Sequence, residues 1–181
     1  NHYRGNHFGR IIWAQYLGSV APDHEWYRNQ GDKKDLNSYV RGSYEVVYGL
    51  RIYGDAQFRH IRYSIDGIDD DLRNLDQQHT YDFFNPKAGI HYQPNSRNGL
   101  YFSFARTHRE PNRDNFTDTP PGAPLPDAAQ LNDLEAGWNY RSSGFMAGVN
   151  LYHMFYHNQL VLTGLINDVG APVMTNVEKS H

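Results

Sequence analysis

The chain of 181 residues contains no cysteine and no long apolar run. Without cysteine there is no disulfide framework, no thiolate metal site and no cysteine nucleophile. No stretch approaches the roughly 18 apolar residues that a membrane-spanning helix needs. The 17 basic residues are balanced by 20 acidic ones and form no basic stripe, so we expect no nucleic-acid partner.

Short catalytic motifs are also missing. The sequence has no G-x-S-x-G, no H-E-x-x-H and no phosphate-binding loop. Asp133 and Glu135 share a face of a predicted strand, but they lie there among other polar residues. We therefore expect no enzyme activity, no catalytic residue and no cofactor.

Aromatic residues and turn formers are abundant, with 14 Tyr, 9 Phe and 16 Gly. Apolar and polar residues alternate along segments of about the length of a tilted membrane strand, roughly 9 to 11 residues. This pattern predicts an all-β fold, an antiparallel meander in which an eighth strand begins near residue 173. The other predicted strands cover 9–17, 36–46, 50–63, 79–92, 100–108, 131–140 and 145–157.

The predicted strands are joined by connections that alternate in length. Segments 47–49, 93–99 and 141–144 are short, whereas long ones rich in Gly, Pro, Asn and Asp cover 18–35, 65–78, 109–130 and 158–175. Transmembrane barrels have tight periplasmic turns and long extracellular loops. A soluble meander has no reason to keep every second connection long.

The hairpin around residues 47–49 predicts a pairing register. A loop of this length places Arg41 opposite Asp55 and Glu45 opposite Arg51 on one face. The other face is then apolar or small, and a slip of one residue would mix the two faces. Such a charged face does not suit a dry core, and such a continuous apolar face does not suit water.

Two further hairpins repeat this separation of faces. Pairing Tyr92 with Leu100 places Ile90 opposite Phe102 and Ala88 opposite Phe104, with His91 and Lys87 on the polar face across from Tyr101 and Ala105. Pairing Tyr140 with Phe145 in the last hairpin places Trp138 opposite Ala147. We expect the apolar faces to contact lipid and the polar faces to line a wet lumen.

Beyond residue 58 the apolar face of the third strand becomes polar, with His60 and Arg62. These residues lie near or beyond the outer edge of a hydrocarbon band about 25 Å tall. There they are placed to meet lipid phosphates. The alternative is that the strand has already left the sheet.

Several segments carry a family resemblance. FNPKAGIHYQPNSRNGLYFSFARTHREPN, LNDLEAGWNYRSSGFMAGVNLYHMFYHNQLV, NDVGAPVMTNVEKSH and YGDAQFRHIRYSIDGIDDDL follow one another as strands and turns of a barrel. In their order and spacing they resemble the β-barrel region of TonB-dependent outer-membrane receptors, in the style of Bacteroidetes receptors. The resemblance covers nearly the whole chain.

The resemblance implies a larger protein in the outer membrane of a Gram-negative bacterium. An N-terminal plug would lie inside a barrel of about 22 strands, and energy delivered by TonB would drive uptake of a ferric siderophore, haem, a cobalamin or a glycan. Residues 1–181 are then a partial barrel without the plug and the remaining strands. The implied partners are outer-membrane lipid, a small-molecule or glycan ligand and, through the plug, the TonB complex; the piece alone would self-associate through exposed strand edges.

Two rival interpretations stay open. One is a complete small outer-membrane barrel of about eight strands, whose interior holds little beyond side chains. The other is a soluble surface β-sandwich that binds a ligand or glycan. In the sandwich Leu100, Phe102 and Phe104 would form the core.

Candidate binding residues lie near the long connections. Aromatic and arginine side chains there are suitable ligand contacts, and the candidates are Trp26, Tyr27, Arg106, Arg109, Arg113 and Phe116. Asp66, Asp69, Asp70 and Asp71 offer oxygen atoms to calcium, although their order does not follow the EF-hand pattern. His153 and His157 share a face, but no compact ligand set forms around them. We predict no metal site.

We expect Phe102→Arg in the full-length protein to block membrane assembly, because it places a charge on the lipid face near mid-membrane at a cost of about 2 to 4 kcal/mol. Heat-modifiable migration on a gel measures assembly. His91→Arg, on the polar face, is the control and should migrate normally. Normal migration of the Phe102 variant would contradict the face assignment.

Overall fold

The computed structural model describes residues 1–16, 18–166, 170 and 172–181. One sheet carries the strands in the order β1-β2-β3-β4-β5-β6-β7-β8, which confirms the predicted antiparallel meander and its eighth strand. A helix that is long and apolar enough to cross a membrane is absent from these residues. The elements are β1 (His2–Arg10), β2 (Glu25–Val47), β3 (Leu50–Gly67), β4 (Gln77–Asn95), β5 (Asn98–Arg109), α1 (Arg113–Thr117), β6 (Ala129–Arg141), β7 (Met146–Ile166) and β8 (Pro172–Ser180).

Several strands extend further than the apolar alternation predicts. β2 begins at Glu25 and β7 continues to Ile166, so much of the predicted connections 18–35 and 158–175 is strand. Outside a membrane a strand needs no lipid-facing side, and polar segments pair through their backbones. The first strand lies at His2–Arg10 rather than 9–17. Residues 17, 167–169 and 171 of these predicted segments lie outside the described residues.

Three of the four predicted long connections stay long with the corrected bounds, whereas the fourth, predicted as 158–175, spans only 167–171 between β7 and β8. The segments 48–49, 96–97 and 142–145 are short, whereas 11–24, 68–76 and 110–128 are long. Long connections therefore follow β1, β3 and β5, at one end of the meander.

The registers of two predicted hairpins agree with the structure. Across 96–97, Tyr92 pairs with Leu100 and Ile90 with Phe102. Across 48–49, the nitrogen and oxygen atoms of the Arg41–Asp55 ion pair are 2.9 Å apart, and those of Arg51 and Glu45 are 3.9 Å apart. Both ion pairs fit the predicted cross-strand positions.

The predicted β6–β7 register is wrong by two residues. Tyr140 pairs with Ala147, not with Phe145, and Trp138 pairs with Val149. The turn covers 142–145, where the Ser142 amide donates to the Phe145 carbonyl at 2.8 Å, so Phe145 belongs to the turn. A shift by two residues keeps every side chain on its face because strand side chains alternate with period two.

Two compact units divide the chain. The second unit, residues 37–59 and 83–181, carries the exposed apolar face. Phe102 is 50% exposed, whereas the side chain of Ser103, on the opposite face of β5, is only 7% exposed. The paired Ile90 and the neighbouring Trp138 are also exposed. A β-sandwich would bury these apolar side chains, so the exposed face fits lipid contact.

The first unit, residues 1–36 and 60–82, has an apolar core of its own. Ile61 and Ile65 are fully buried there, and Tyr63 and Leu75 are buried. Ile61, Tyr63 and Ile65 occupy odd positions of β3, whereas Leu50, Ile52 and Phe58 occupy even ones. The alternation therefore inverts along one strand, as expected where the surroundings of its outer face change from lipid to water.

The structure distinguishes the two interpretations of His60 and Arg62, which were a polar end of the strand or a chain that has left the sheet. β3 continues to Gly67, so the alternative that the strand has left the sheet at these residues is wrong. From His60 onward the even positions of β3 are polar. We take the segments with an exposed apolar face, such as 50–58 and 100–104, as the membrane-spanning ones.

Tyrosine rings lie over glycines on the polar face of the second unit. A Cβ added at Gly89 would lie 2.5 Å from the ring of Tyr53, and one at Gly137 would overlap Tyr101. Neither glycine has a positive φ, so space and not backbone conformation requires glycine there. The absent side chain leaves room for each ring against the neighbouring strand.

We expect Gly89→Ala to destabilise the full-length protein by about 1 to 3 kcal/mol, because the added methyl group overpacks against Tyr53. The urea midpoint of the protein folded in vesicles measures the change. Gly54→Ala, where an added Cβ meets nothing within 4 Å, is the control. Combining Gly89→Ala with Tyr53→Ala should remove most of the effect; a loss that persists without the ring would disprove the overlap.

Candidate ligand-binding site

A pocket of about 300 Å³ lies in the second unit where β5 ends and β6 begins. The strand register builds it, because Thr107 pairs with Leu131 and Leu131 pairs with Tyr156, which forms one row across three strands. β7, β8 and the connection 110–128 contribute the remaining lining. Among the lining side chains are His108, Arg109, Gln130, Tyr156, Gln159 and Met174.

The pocket lining exposes more apolar than polar surface and carries little charge. It combines amide and hydroxyl groups with apolar side chains such as Leu131 and Met174. Arg109 is a cation of this lining, and the described lining residues include no carboxylate. The pocket therefore suits a ligand that combines acceptor oxygens with apolar surface, and it favours negative over positive charge.

The connection 110–128 is fixed at its start by a buried ion pair. The nitrogen of Arg59 and the oxygen of Glu110 are 3.3 Å apart, and both side chains are largely shielded from water. Pro111 follows and is fully buried. Exposed ion pairs contribute little to folding stability, whereas removing one partner of a buried pair destabilises the protein because it leaves an uncompensated buried charge.

The middle of the same connection folds into the short helix α1. Asn112 and Asn115 form a reciprocal capping box at its start, each side chain accepting the backbone N–H of the other. Asn115 Nδ2 also lies 3.1 Å from the sulfur of Met174 in β8. Phe116 of this helix is 3% exposed.

Asn176 of β8 fixes the end of the connection. Its Oδ1 accepts the backbone N–H of Asp127 at 2.8 Å, and its Nδ2 donates to the carbonyl of Asp127 at 3.1 Å. The same Nδ2 lies 2.6 Å from the carbonyl oxygen of Asn158. Ion pair, helix contact and amide clamp together hold the connection beside the pocket.

A line of polar side chains leads from the pocket across four strands. His108 Nδ1 lies 2.8 Å from Oδ1 of Asn85, whose Nδ2 donates to Gln57 at 3.0 Å, and His108 Nε2 lies 3.1 Å from Oε1 of Gln130. The ring of Phe83 stacks on the imidazole at 5.1 Å. Burial lowers the pKa of His108, and the charge of Arg106 acts in the same direction.

Of the predicted contact residues in the second unit, only Arg109 lines the pocket. Arg106 is exposed and donates to Asn132 at 2.8 Å. Arg113 forms an ion pair with the adjacent aspartate at 3.2 Å. Phe116 is buried. A role in ligand contact for all four residues stays a prediction.

Trp26 and Tyr27 belong to the first unit. The indole of Trp26 donates to the carbonyl of Asp70 at 3.0 Å, which fixes the connection 68–76. The ring of Tyr27 lies over Gly9 in the paired strand. Both residues have structural contacts, and their contact with a ligand stays a prediction.

In the acidic connection 68–76, the carboxylate of Asp69 binds groups of the same connection. Asp69 is buried, accepts the backbone N–H of Asp71 and of Arg73, and forms an ion pair with the Arg73 guanidinium at 2.6 Å. Asp66 accepts from the Ser64 hydroxyl. Within the described residues no group of three or more His, Cys, Asp or Glu side chains is arranged around a metal ion. The calcium interpretation therefore has no geometric support.

Most pocket residues were not recognisable from the sequence. His108 and Tyr156 lie at the ends of predicted strands, where apolar alternation fades, and Gln130 and Gln159 fall in predicted connections. The predicted β6–β7 register would also place Met154, not Tyr156, opposite Leu131. Correct strand pairing was the missing signal.

We expect the stability of the protein to fall as the pH falls below about 6.5, the ordinary histidine pKa. Because the folded-state pKa of His108 is lowered, its contribution is complete above the unfolded pKa and is lost as the pH falls through the folded one. Urea midpoints between pH 4.5 and pH 8 measure this loss, and His108→Gln should make the profile shallower; some slope should remain because burial also lowers the pKa of His79. His91→Gln is the control; identical profiles for His108→Gln and wild type would contradict the assignment.

Comparisons with known proteins agree on one family. The family described as TonB dependent receptor-like, beta-barrel matches residues 2–181. No curated protein sequence matches the chain. Among solved structures, the copper transporter OprC has a TM-score of 0.69 at 12% identity over 98% of this chain. The ferric-catecholate import receptor Fiu from E. coli K12 has a TM-score of 0.60 at 14% identity over 82% of this chain.

The FrpB iron transporter from Neisseria meningitidis has a TM-score of 0.57 at 15% identity, again over 82% of this chain. The matched regions make up 29%, 24% and 22% of the OprC, Fiu and FrpB chains. This chain thus spans less than a third of the length of these structures, and at these identities the likeness shows the fold. The family match over residues 2–181, in agreement with this fold, establishes that the chain belongs to the β-barrel family of TonB-dependent receptors, which are outer-membrane proteins of Gram-negative bacteria.

Proposed function

We propose that the chain forms part of the wall and outer vestibule of a TonB-dependent receptor that takes up a ferric siderophore. The pocket beside the connection 110–128 would contact the ligand before transport. The observation that carries this proposal is a pocket of mixed polar and apolar lining with a cation and no carboxylate among its described lining residues, next to a connection that is fixed at both ends.

The rest of the mechanism belongs to the whole receptor. In the proposed protein a barrel of about 22 strands surrounds a plug domain, and the TonB complex acts on the plug to open a path for the ligand. The present chain would be a section of that barrel and would not couple to TonB by itself. Its part is to hold the ligand at the outer end.

The pocket chemistry favours a ferric siderophore among the ligand classes considered. Ferric chelates expose catecholate, hydroxamate or carboxylate oxygens, which accept hydrogen bonds from a guanidinium and from amides. The solved structures include receptors named for iron and for a ferric catecholate. A volume of about 300 Å³ is at the small end for a ligand site, so this pocket would hold one edge of a larger ligand.

We expect Arg109→Ala in the full-length receptor to weaken siderophore binding about tenfold or more, because a charge-assisted hydrogen bond contributes roughly 1.5 to 3 kcal/mol. Binding of iron-55 siderophore complexes to cells that lack their own siderophore receptors measures the effect. Arg97→Ala, in the short turn 96–97, removes the same charge and should bind normally.

Two outcomes would contradict separate parts of the proposal. Equal binding by Arg109→Ala and Arg97→Ala would remove the pocket from ligand capture. Growth of the host on haem, a cobalamin or a glycan, but not on any ferric siderophore, would overturn the ligand class and leave the receptor assignment intact.

A further inference from the structure

The imidazole of His108 lies between two side-chain amides of the second unit. Its Nδ1 is 2.8 Å from Oδ1 of Asn85, and its Nε2 is 3.1 Å from Oε1 of Gln130. Both ring nitrogens therefore face an acceptor oxygen. A neutral imidazole carries one N–H and satisfies one of these oxygens, whereas an imidazolium carries two and satisfies both. The hydrogen-bond partners of His108 thus match its charged form.

The two amides differ in their freedom to turn. Asn85 is fixed because its Nδ2 donates to Oε1 of Gln57 at 3.0 Å, and turning it alone would bring two oxygens together. Gln130 has no further hydrogen-bond partner among the described residues. Beside a neutral imidazole, Gln130 turns and donates to Nε2, which leaves its oxygen free. Beside an imidazolium it keeps its oxygen on the ring, which leaves its nitrogen free to donate.

Burial and neighbouring cations oppose this charged form. Burial lowers the pKa of His108, and the charge of Arg106 on the same strand acts in the same direction. Arg109 lines the same pocket as His108, and the described lining residues include no carboxylate. The other titratable neighbour is His157 of β7, two strands away across β6. We therefore expect a neutral His108 when the pocket holds no ligand.

A counter-charge is what the imidazolium lacks. The carboxylate of Glu110, at the start of the adjoining connection, is already paired with Arg59 at 3.3 Å. The ring of Phe83 from β4 stacks on the imidazole at 5.1 Å, and the negative face of an aromatic ring favours a cation. An anion in the pocket would supply the missing charge and favour protonation of His108.

We propose that an anionic ligand in this pocket draws a proton onto His108 when it binds. The imidazolium then adds a second positive charge beside Arg109. Its two N–H groups donate to Asn85 and Gln130, so that Nε2 of Gln130 is free to donate to the ligand. His108 is thus a positioning residue that acts through Gln130. This inference rests on the proposed siderophore site, and it narrows the ligand to ferric chelates with several negative charges.

The test uses the purified full-length receptor and two ferric complexes of different charge. A ferric tris-catecholate carries three negative charges, whereas a ferric trihydroxamate is neutral. Titration calorimetry in two buffers with different heats of ionisation counts the protons taken up on binding. The tris-catecholate should bind with net proton uptake, and its affinity should rise about tenfold from pH 8 to pH 5.5. The trihydroxamate should show neither effect.

Three variants assign the proton. His108→Gln keeps a donor toward Gln130 but carries no charge, so proton uptake should be lost. Asn85→Asp places a carboxylate against Nδ1 and keeps His108 protonated before the ligand arrives, so uptake should also be lost. His157→Gln is the control and should retain uptake. Heat-modifiable migration establishes folding of each variant, and the wild-type measurement depends on none of them.

Three results would overturn the inference. The first is binding of the tris-catecholate by the wild type without proton uptake. The second is uptake that persists in His108→Gln or disappears in His157→Gln, since another group would then take the proton. The third is tighter binding of the neutral complex at every pH. Failure of the proposed function differs from these results, because Arg109→Ala would then bind siderophore as well as Arg97→Ala does.

Discussion

The structure depends on a single constraint, the change of surroundings along each strand. In lipid every backbone group must be paired within the sheet, and the outer side chains must be apolar. Outside the lipid the outer side chains are free to be polar and a core becomes useful on the inner side. β3 satisfies both conditions by inverting its alternation after residue 58, where Ile61 and Ile65 become buried.

This inversion also explains where polar chemistry is found. The pocket and its clamped connection both use residues at or beyond the ends of apolar alternation. Within the apolar segments the requirements of lipid contact restrict half of the positions. The residues that recognise something are therefore concentrated where that restriction ends.

Because only the lipid-facing segments have strict alternation, the sequence predicted those segments better than the polar ones. The meander and the Tyr92–Leu100 register followed from alternation, because lipid contact imposes it strictly. The segment 25–35 was predicted as a connection because it is polar, yet it pairs with β1 through its backbone. The row of Thr107, Leu131 and Tyr156 depends on the β6–β7 pairing, and local sequence did not reveal that Phe145 belongs to the turn.

The turn 142–145 between β6 and β7 should tolerate some insertions and deletions better than others. The segment 142–145 separates two strands whose faces already match, and period-two alternation makes an error of two residues harmless to those faces. Removal or insertion of two residues would slide β7 along β6 and leave apolar side chains toward the lipid. A change of one residue would turn Val149 and Leu151 inward and Asn150 outward. Length variation at such a turn should therefore occur in even steps.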